Sequence, residues 1–230
     1  MRKTLLSFIL LFFATITFAQ RNGDFNYSLG VSRYSYMQMP KIFNQAEDVY
    51  LSTNFSSYLL KFNDNLFSYR LNGSYFTRNL EFNNNCDNCE FIAGEVKDLS
   101  FKMGFEKNFN YNIIQPYIAL DLGYRSNRFE GTAMDNNPAR LAANQVQTSS
   151  SVISTKEGIT LSPVFGIKVN PIKQVSVFVE SNLELFYSYE RQERVTQDAE
   201  NTRNISKFNK TQYLINPISV GVQIHFGNKN

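Results

Sequence analysis

The sequence of 230 residues contains no tryptophan, two cysteines, one histidine and no strong surplus of either charge. Its 23 basic and 20 acidic residues lack the basic field that nucleic-acid binding requires, so we expect no nucleic-acid partner. Beyond the N-terminus polar residues interrupt every apolar run, which excludes a transmembrane helix of about 20 apolar residues. A chain of this kind can span a membrane only as a closed barrel of strands, because every backbone polar group in lipid needs a partner.

The N-terminus has the pattern of an exported protein. Two basic residues precede an apolar run over residues 5–13, and Thr17 and Ala19 then provide small residues at the positions that a signal peptidase recognises. This pattern predicts a secretory signal peptide over residues 1–19 and a single domain over residues 20–230. An uncleaved membrane anchor is the alternative, although the apolar run is short for a membrane span.

Alternation of apolar with small or polar residues indicates eight β-strands. The alternating segments lie near residues 25–32, 49–62, 67–75, 99–106, 118–125, 159–168, 175–187 and 218–226. The first half of the second segment is less regular, which suggests a bulge or a register slip there. Each strand therefore has one apolar face, as in an antiparallel sheet with one face against water.

The connections between these segments alternate between short and long. Short turns are predicted near residues 63–65, 108–112 and 170–174, and long connections near residues 40–48, 79–95, 126–157 and 190–210. Short periplasmic turns and long extracellular loops are typical of outer-membrane barrels. The sequence thus predicts an all-β, eight-stranded antiparallel up-and-down transmembrane β-barrel in the bacterial outer membrane. An even number of strands places both termini in the periplasm.

The polar parity of the strands carries charges that suit the interior of a narrow barrel. These charges are Arg70, Lys102, Glu106, Asp121, Arg125, Lys168, Glu180 and Glu184. An eight-stranded barrel has room for little besides side chains, and these four acids can balance the four bases. We therefore expect an ion-paired interior that blocks bulk flow, with a conducting pore as the alternative.

Aromatic residues at the ends of the strands are candidates for interface positions. They are Phe25 and Phe226 at the periplasmic side and Tyr75, Tyr124 and Tyr187 at the outer side. Tyrosine can replace tryptophan at a membrane interface because it has an apolar ring and a polar tip. The alternative is that these are ordinary strand aromatics.

Candidate chemistry is sparse. His225 is the sole histidine and falls at the periplasmic end of the last strand, so it is expected as an interior polar residue at the barrel mouth. Cys86 and Cys89 form a Cys-x-x-Cys pair in a long outward loop, where a local disulfide, incidental thiols and a metal or redox pair are the options. We predict no enzymatic activity, no metal and no cofactor.

The junction Ala19-Gln20, the eight amphipathic strands and the closing segment Val220–Phe226 resemble small outer-membrane β-barrel proteins of Bacteroidota. That class includes PorT-like barrels and is similar in architecture to the OmpA membrane domain and OmpX. The resemblance implies outer-membrane lipid as the surroundings and the barrel-assembly machinery as a partner during biogenesis. In this class the machinery often recognises an aromatic residue at the C-terminus. The corresponding residue here is Phe226, which is followed by four more residues.

Three function hypotheses follow. The first is a structural or surface-interaction barrel that acts through its extracellular loops on an unknown surface partner. The second is a membrane accessory subunit of a secretion or assembly machine, as the PorT-like resemblance implies. The third is a soluble periplasmic ligand-binding barrel of the lipocalin type, whose apolar face would point inward.

Overall fold

The structure, a computed structural model, describes residues 25–84, 90–110, 112–135, 149–197 and 202–228. The predicted signal peptide and the pair Cys86 and Cys89 lie outside the described residues. No helix among the described residues is long and apolar enough to cross a membrane.

Alternating sequences of aromatic, aliphatic and small polar residues fold into antiparallel strands. The strands are β1 (Phe25–Gln38), β2 (Tyr50–Leu51), β3 (Ser57–Asp64), β4 (Phe67–Asn83), β5 (Glu90–Asn108), β6 (Ile114–Asp135), β7 (Ser149–Ile172), β8 (Val175–Thr196) and β9 (Arg203–Asn228). Each long strand pairs with the next long strand in the chain, as in an up-and-down meander.

The sheet closes on itself through its first and last strands. Tyr27 of β1 pairs with Phe62 of β3 on one side and with Phe226 of β9 on the other. The closed ring has eight long strands, and β2 adds only a two-residue ladder to the end of β1, where Met37 pairs with Leu51. The predicted eight-stranded antiparallel up-and-down barrel is confirmed.

The irregular second segment of the sequence, predicted as one strand over residues 49–62, is divided. Tyr50–Leu51 forms β2 and Ser57–Asp64 forms β3, with a non-strand connection between them. The parity change in the sequence marks this break rather than a bulge within a continuous strand.

The two ends of the barrel differ in height. Short turns and both described termini lie at one end, which we call the short-turn end, and the opposite end is called the tall end. Three of the four predicted long connections are shorter than expected, because strands extend into them from both sides. For example, β6 runs to Asp135 and β7 begins at Ser149 within the connection predicted over residues 126–157. By contrast, β1 ends at Gln38 and β3 begins at Ser57, so these two strands stop low in the wall.

A close contact between the adjacent strands β6 and β7 depends on Gly166, which is paired with Tyr117. A Cβ at Gly166 would overlap the Cζ and hydroxyl of Tyr117, whose ring fills that space. The Tyr117 hydroxyl donates a hydrogen bond to Glu180 at 2.8 Å, so the ring cannot move freely aside. Gly73 is the opposite case, since no atom lies within 4 Å of a Cβ built on it.

We expect Gly166→Ala to lower the free energy of unfolding by about 1–3 kcal/mol, because overpacking displaces the Tyr117 ring. Gly73→Ala is the matched control and is expected to leave stability unchanged or slightly raised. The measurement is the urea midpoint of the refolded protein, followed by circular dichroism. Equal midpoints for the two variants would contradict the packing argument.

Candidate functional site

An apolar belt surrounds the outside of the barrel between the short-turn end and the middle of the long strands. Its side chains are exposed although they are large and apolar. Representative members are Tyr69, Phe101, Met103, Phe105, Leu120, Leu122, Ile159, Leu161, Phe165, Val177, Val179, Val222 and Ile224. An exposed apolar surface of this extent marks a contact with something other than water.

Above the belt, toward the tall end, β4, β5 and β6 keep their alternation but reverse its polarity. On β4 the outward side chains change from apolar to polar after Tyr75, with Thr77 and Glu81 exposed, while Phe76 and Phe82 are buried inside. On β6 the outward residues after Tyr124 include Arg128 and Glu130, which form an exposed ion pair with each other. Phe129 on the inward face of β6 is fully buried. These three strands are therefore polar outside and apolar inside at the tall end, whereas the inward parity of β8 there carries Glu190, Gln192 and Arg194.

At the belt level the barrel interior is held by ion pairs around Glu106. Its carboxylate receives Lys61 at 2.5 Å, Lys168 at 2.6 Å and Arg70 at 3.3 Å. Arg70 in turn forms a two-bond contact with Glu180, at 3.0 and 3.1 Å. These residues come from five different strands, so the network ties the wall together across the interior.

A second group of ion pairs lies next along the interior, around Glu184. Arg125 reaches one Glu184 oxygen at 2.6 Å and Lys102 contacts the other. The Nε of Arg125 also donates to both oxygens of Asp98, at 3.2 and 3.0 Å. Asn127 adds a hydrogen bond of 2.7 Å to Asp98, so this carboxylate has donors on two sides.

The buried charges balance in number. Among the described residues the buried charged side chains comprise six bases and six acids: Lys61, Arg70, Lys102, Arg125, Lys156, Lys168, Asp98, Glu106, Asp121, Glu180, Glu184 and Glu190. A buried charge without a partner would cost several kcal/mol, and pairing is the means by which a narrow interior tolerates so many.

At the short-turn end the interior around His225 is polar, with Lys168 as a neighbouring charge. The Nδ1 and Nε2 atoms of its ring lie 2.7 Å from Ser28 Oγ and 2.6 Å from Ser176 Oγ. A cavity of about 10 Å³ beside it is bordered by Asn63, Ser68 and Gln223 and has room for one water. Ser28, Ser176 and His225 are all buried.

At the tall end the interior is filled by an apolar cluster and by residues 39–51, which we call the plug segment. Met39 and Ile42 of this segment are fully buried against inward residues such as Phe129 of β6. The Lys156 ammonium donates to the Lys41 carbonyl at 2.6 Å and pairs with Glu190 at 2.6 Å. Burial lowers the pKa of Lys156 to about 8 against the opposing effect of the Glu190 carboxylate.

The structure places all eight predicted interior charges inside the barrel and gives each a partner of opposite sign. Four further buried charges were missed by sequence reasoning: Lys61, Asp98, Lys156 and Glu190. Lys61 and Asp98 are each next in sequence to a residue predicted to face outward, so the alternation of side chains alone could have identified them as inward residues. The other two fall in segments that were assigned to loops.

Of the five aromatic residues predicted at the membrane interfaces, four face outward and one does not. Tyr75, Tyr124, Tyr187 and Phe226 face outward and are about half exposed. Phe25 was predicted to face outward as well, and that prediction is wrong. Its ring is buried and stacks on the His225 ring, with centroids 6.0 Å apart. It lies at the very start of β1, where the barrel mouth leaves room for a side chain to turn inward.

The described residues contain no group of three or more His, Cys, Asp or Glu side chains that could hold a metal ion. No protein-family model matches the chain. The curated proteins likewise contain no match. Among solved structures, the crystal structure of a major outer membrane protein from Thermus thermophilus is similar, with a TM-score of 0.49 and 10% identity over 87% of this chain and 98% of that chain.

We expect Glu106→Gln to lower the free energy of unfolding by about 3–5 kcal/mol, because it leaves three buried bases short of a carboxylate. Glu95→Gln is the matched control, since Glu95 pairs with Lys97 on the exposed outer face, and its urea midpoint is expected to be nearly unchanged. A Glu106→Gln midpoint as close to the wild type as that of the control would show that the network contributes little.

Proposed function

We propose that this chain is an outer-membrane β-barrel that is closed to flow and has a structural or surface-interaction role. The observation that carries the proposal is the distribution of polarity across the wall. Apolar side chains surround the lower barrel outside while paired charges fill it inside, which is the arrangement that lipid outside and a sealed interior require.

The height of the belt supports a membrane span. Outward residues from Ile114 to Tyr124 on β6 and from Ile159 to Val169 on β7 are apolar except for occasional small or imino residues, a run of eleven residues on each strand. A tilted strand needs about 9–11 residues to cross the hydrocarbon. Tyr124 and Tyr187 then lie where the belt ends, as interface residues would.

The polarity reversal supports an orientation. Strands that continue into water need a polar outer face and an apolar core, as β4, β5 and β6 have at the tall end. We place the tall end outside the cell and the short-turn end, with both termini, in the periplasm. Long outer parts and short periplasmic turns are the usual arrangement in such barrels.

The soluble lipocalin-like alternative does not fit the geometry. A barrel of that type would bury its apolar parity around a ligand, whereas the apolar parity here faces outward and the inward parity is charged. Lys61, Arg70 and Glu106 fill the space that a ligand would occupy.

Two layers block passage through the barrel. The ion pairs around Glu106 and Glu184 occupy the belt level, and the plug segment with its apolar cluster occupies the tall end. With transport blocked, the exposed wall of the tall end is the part able to meet a partner. An accessory subunit of a secretion machine would use the same surface, and co-purification from mild detergent distinguishes that role from a stand-alone barrel.

We expect lipid contact at the belt and water contact above it. The test uses a variant in which Cys86 and Cys89 are replaced by serine, so that a single introduced cysteine can be labelled with a fluorophore. We expect lipids brominated on their acyl chains to quench the label strongly at Leu120→Cys and at Val177→Cys. Lys97→Cys, on the exposed outer face above the belt, is the control and should respond to an aqueous quencher instead. Water-like behaviour at Leu120 would overturn the membrane proposal.

We also expect the wild-type protein to show no steady conductance in a planar lipid bilayer, because both interior layers lie in the path of ions. Brief, irregular events from the detergent alone are controlled by a mock reconstitution. Steady, large openings that depend on the protein would contradict the closed interior.

A further inference from the structure

The early end of β1 and β3 leaves two strand edges at the tall end, one on β4 and one on β9. The β4 edge is covered by the chain itself: Tyr75 N donates to the Ser56 carbonyl at 3.2 Å, and Ala46 N donates to the Asn83 carbonyl at 3.2 Å. Arg78 also donates to the Asn54 side chain at 3.1 Å. The chain therefore holds both ends of the β4 edge and leaves between them only Thr77, Asn79 and Glu81, a shorter stretch than an incoming strand of ordinary length would cover.

The β9 edge has no such cover. β9 pairs with β1 only from Ile218 onward, and the last contact of β1 is a hydrogen bond of 2.8 Å from Ile215 N to the Gln38 side chain. Ile215 N points away from β8, so alternate residues before it also point their backbone N–H and C=O groups away from β8. These residues are Ile205, Lys207, Asn209, Thr211 and Tyr213. Within the described part of the chain, none of these groups has a partner on that side.

The open edge is accessible from both faces. Residues 203–209 are all exposed. Even the apolar side chains of Ile205 and Phe208 are exposed and do not pack into the core. Five residues with unpaired backbone groups in one row form a template for another strand, because an incoming chain satisfies donors and acceptors together.

Charge selects among the strands that could bind. The segment Arg203–Tyr213 contains three basic residues and no acidic one. Arg203 is paired with Glu193 at 2.7 Å, while Lys207 and Lys210 have no ion pair among the described residues. A second copy of this chain would bring two basic edges together, and like charges on paired strands are unfavourable. An incoming strand with acidic side chains meets no such repulsion.

We propose that the β9 edge over Ile205–Tyr213 binds an extended, acidic segment of a partner protein by β-augmentation. The inference deepens the surface-interaction role proposed above and rests on it for the side of the membrane on which the partner is met. Backbone hydrogen bonds along the edge provide the affinity, and Lys207 and Lys210 provide the preference for acids.

The probe is a fluorescent ten-residue peptide of alternating threonine and valine with three glutamates, titrated against the full mature chain in detergent micelles by anisotropy. Asn209→Pro removes an N–H that faces the open side and no hydrogen bond to β8, so the barrel should still fold. We expect about tenfold weaker binding for Asn209→Pro and unchanged binding for Asn209→Ala, which keeps the N–H. Unchanged heat-dependent gel migration verifies that both variants fold.

The charge preference is tested by the double variant Lys207→Glu with Lys210→Glu. It should lose the acidic peptide and bind a matched peptide with three lysines, which the wild type should bind weakly. Equal binding to wild type and Asn209→Pro, or no binding of the acidic peptide at all, would overturn the proposal. Crosslinked dimers that Asn209→Pro abolishes would identify a second copy as the occupant and would also overturn it. None of these results depends on lipid quenching at the belt, which tests the membrane proposal separately.

Discussion

The requirement that every charge inside the barrel be neutralised controls the rest of this structure. A ring of eight strands leaves an interior that side chains fill, and bulk water cannot enter to solvate them. Six buried bases are matched by six buried acids among the described residues, with Glu106 and Glu184 each bound by more than one base. Because the pairs join different strands, the same contacts that neutralise charge also fix the register of the wall.

The reversal of polarity along β4, β5 and β6 divides this part of the wall into two environments. Below Tyr75 and Tyr124 the wall is apolar outside and charged inside, and above them it is polar outside and apolar inside. The alternation of side chains is the same in both parts, so the backbone conformation does not differ between them. The boundary between environments is therefore encoded only by which parity carries the apolar residues.

That encoding explains what the sequence could and could not predict. The eight strands and eight of the interior charges follow from period-two alternation with apolar residues outward. Lys156 and Glu190 were missed because the outward residues around them are polar, so their strands looked like loops. The plug segment has no periodicity of its own, and its burial depends on β1 and β3 ending early. Phe25 turns inward at a strand end, where alternation no longer constrains a side chain.

The closing contact between the first and last strands has a consequence for how the barrel assembles. The hydrogen bond between Ser28 and His225 joins residues 197 positions apart, and the whole β1–β9 ladder has comparable separation. Contacts so distant in sequence carry a large loop-closure cost and slow the rate of folding. The β1–β9 seam therefore has a larger loop-closure cost than the pairings of strands that follow one another in the chain, such as β6 with β7. Closure in this way leaves the lower wall without a free strand edge, although the pairing that closes it is slow to form.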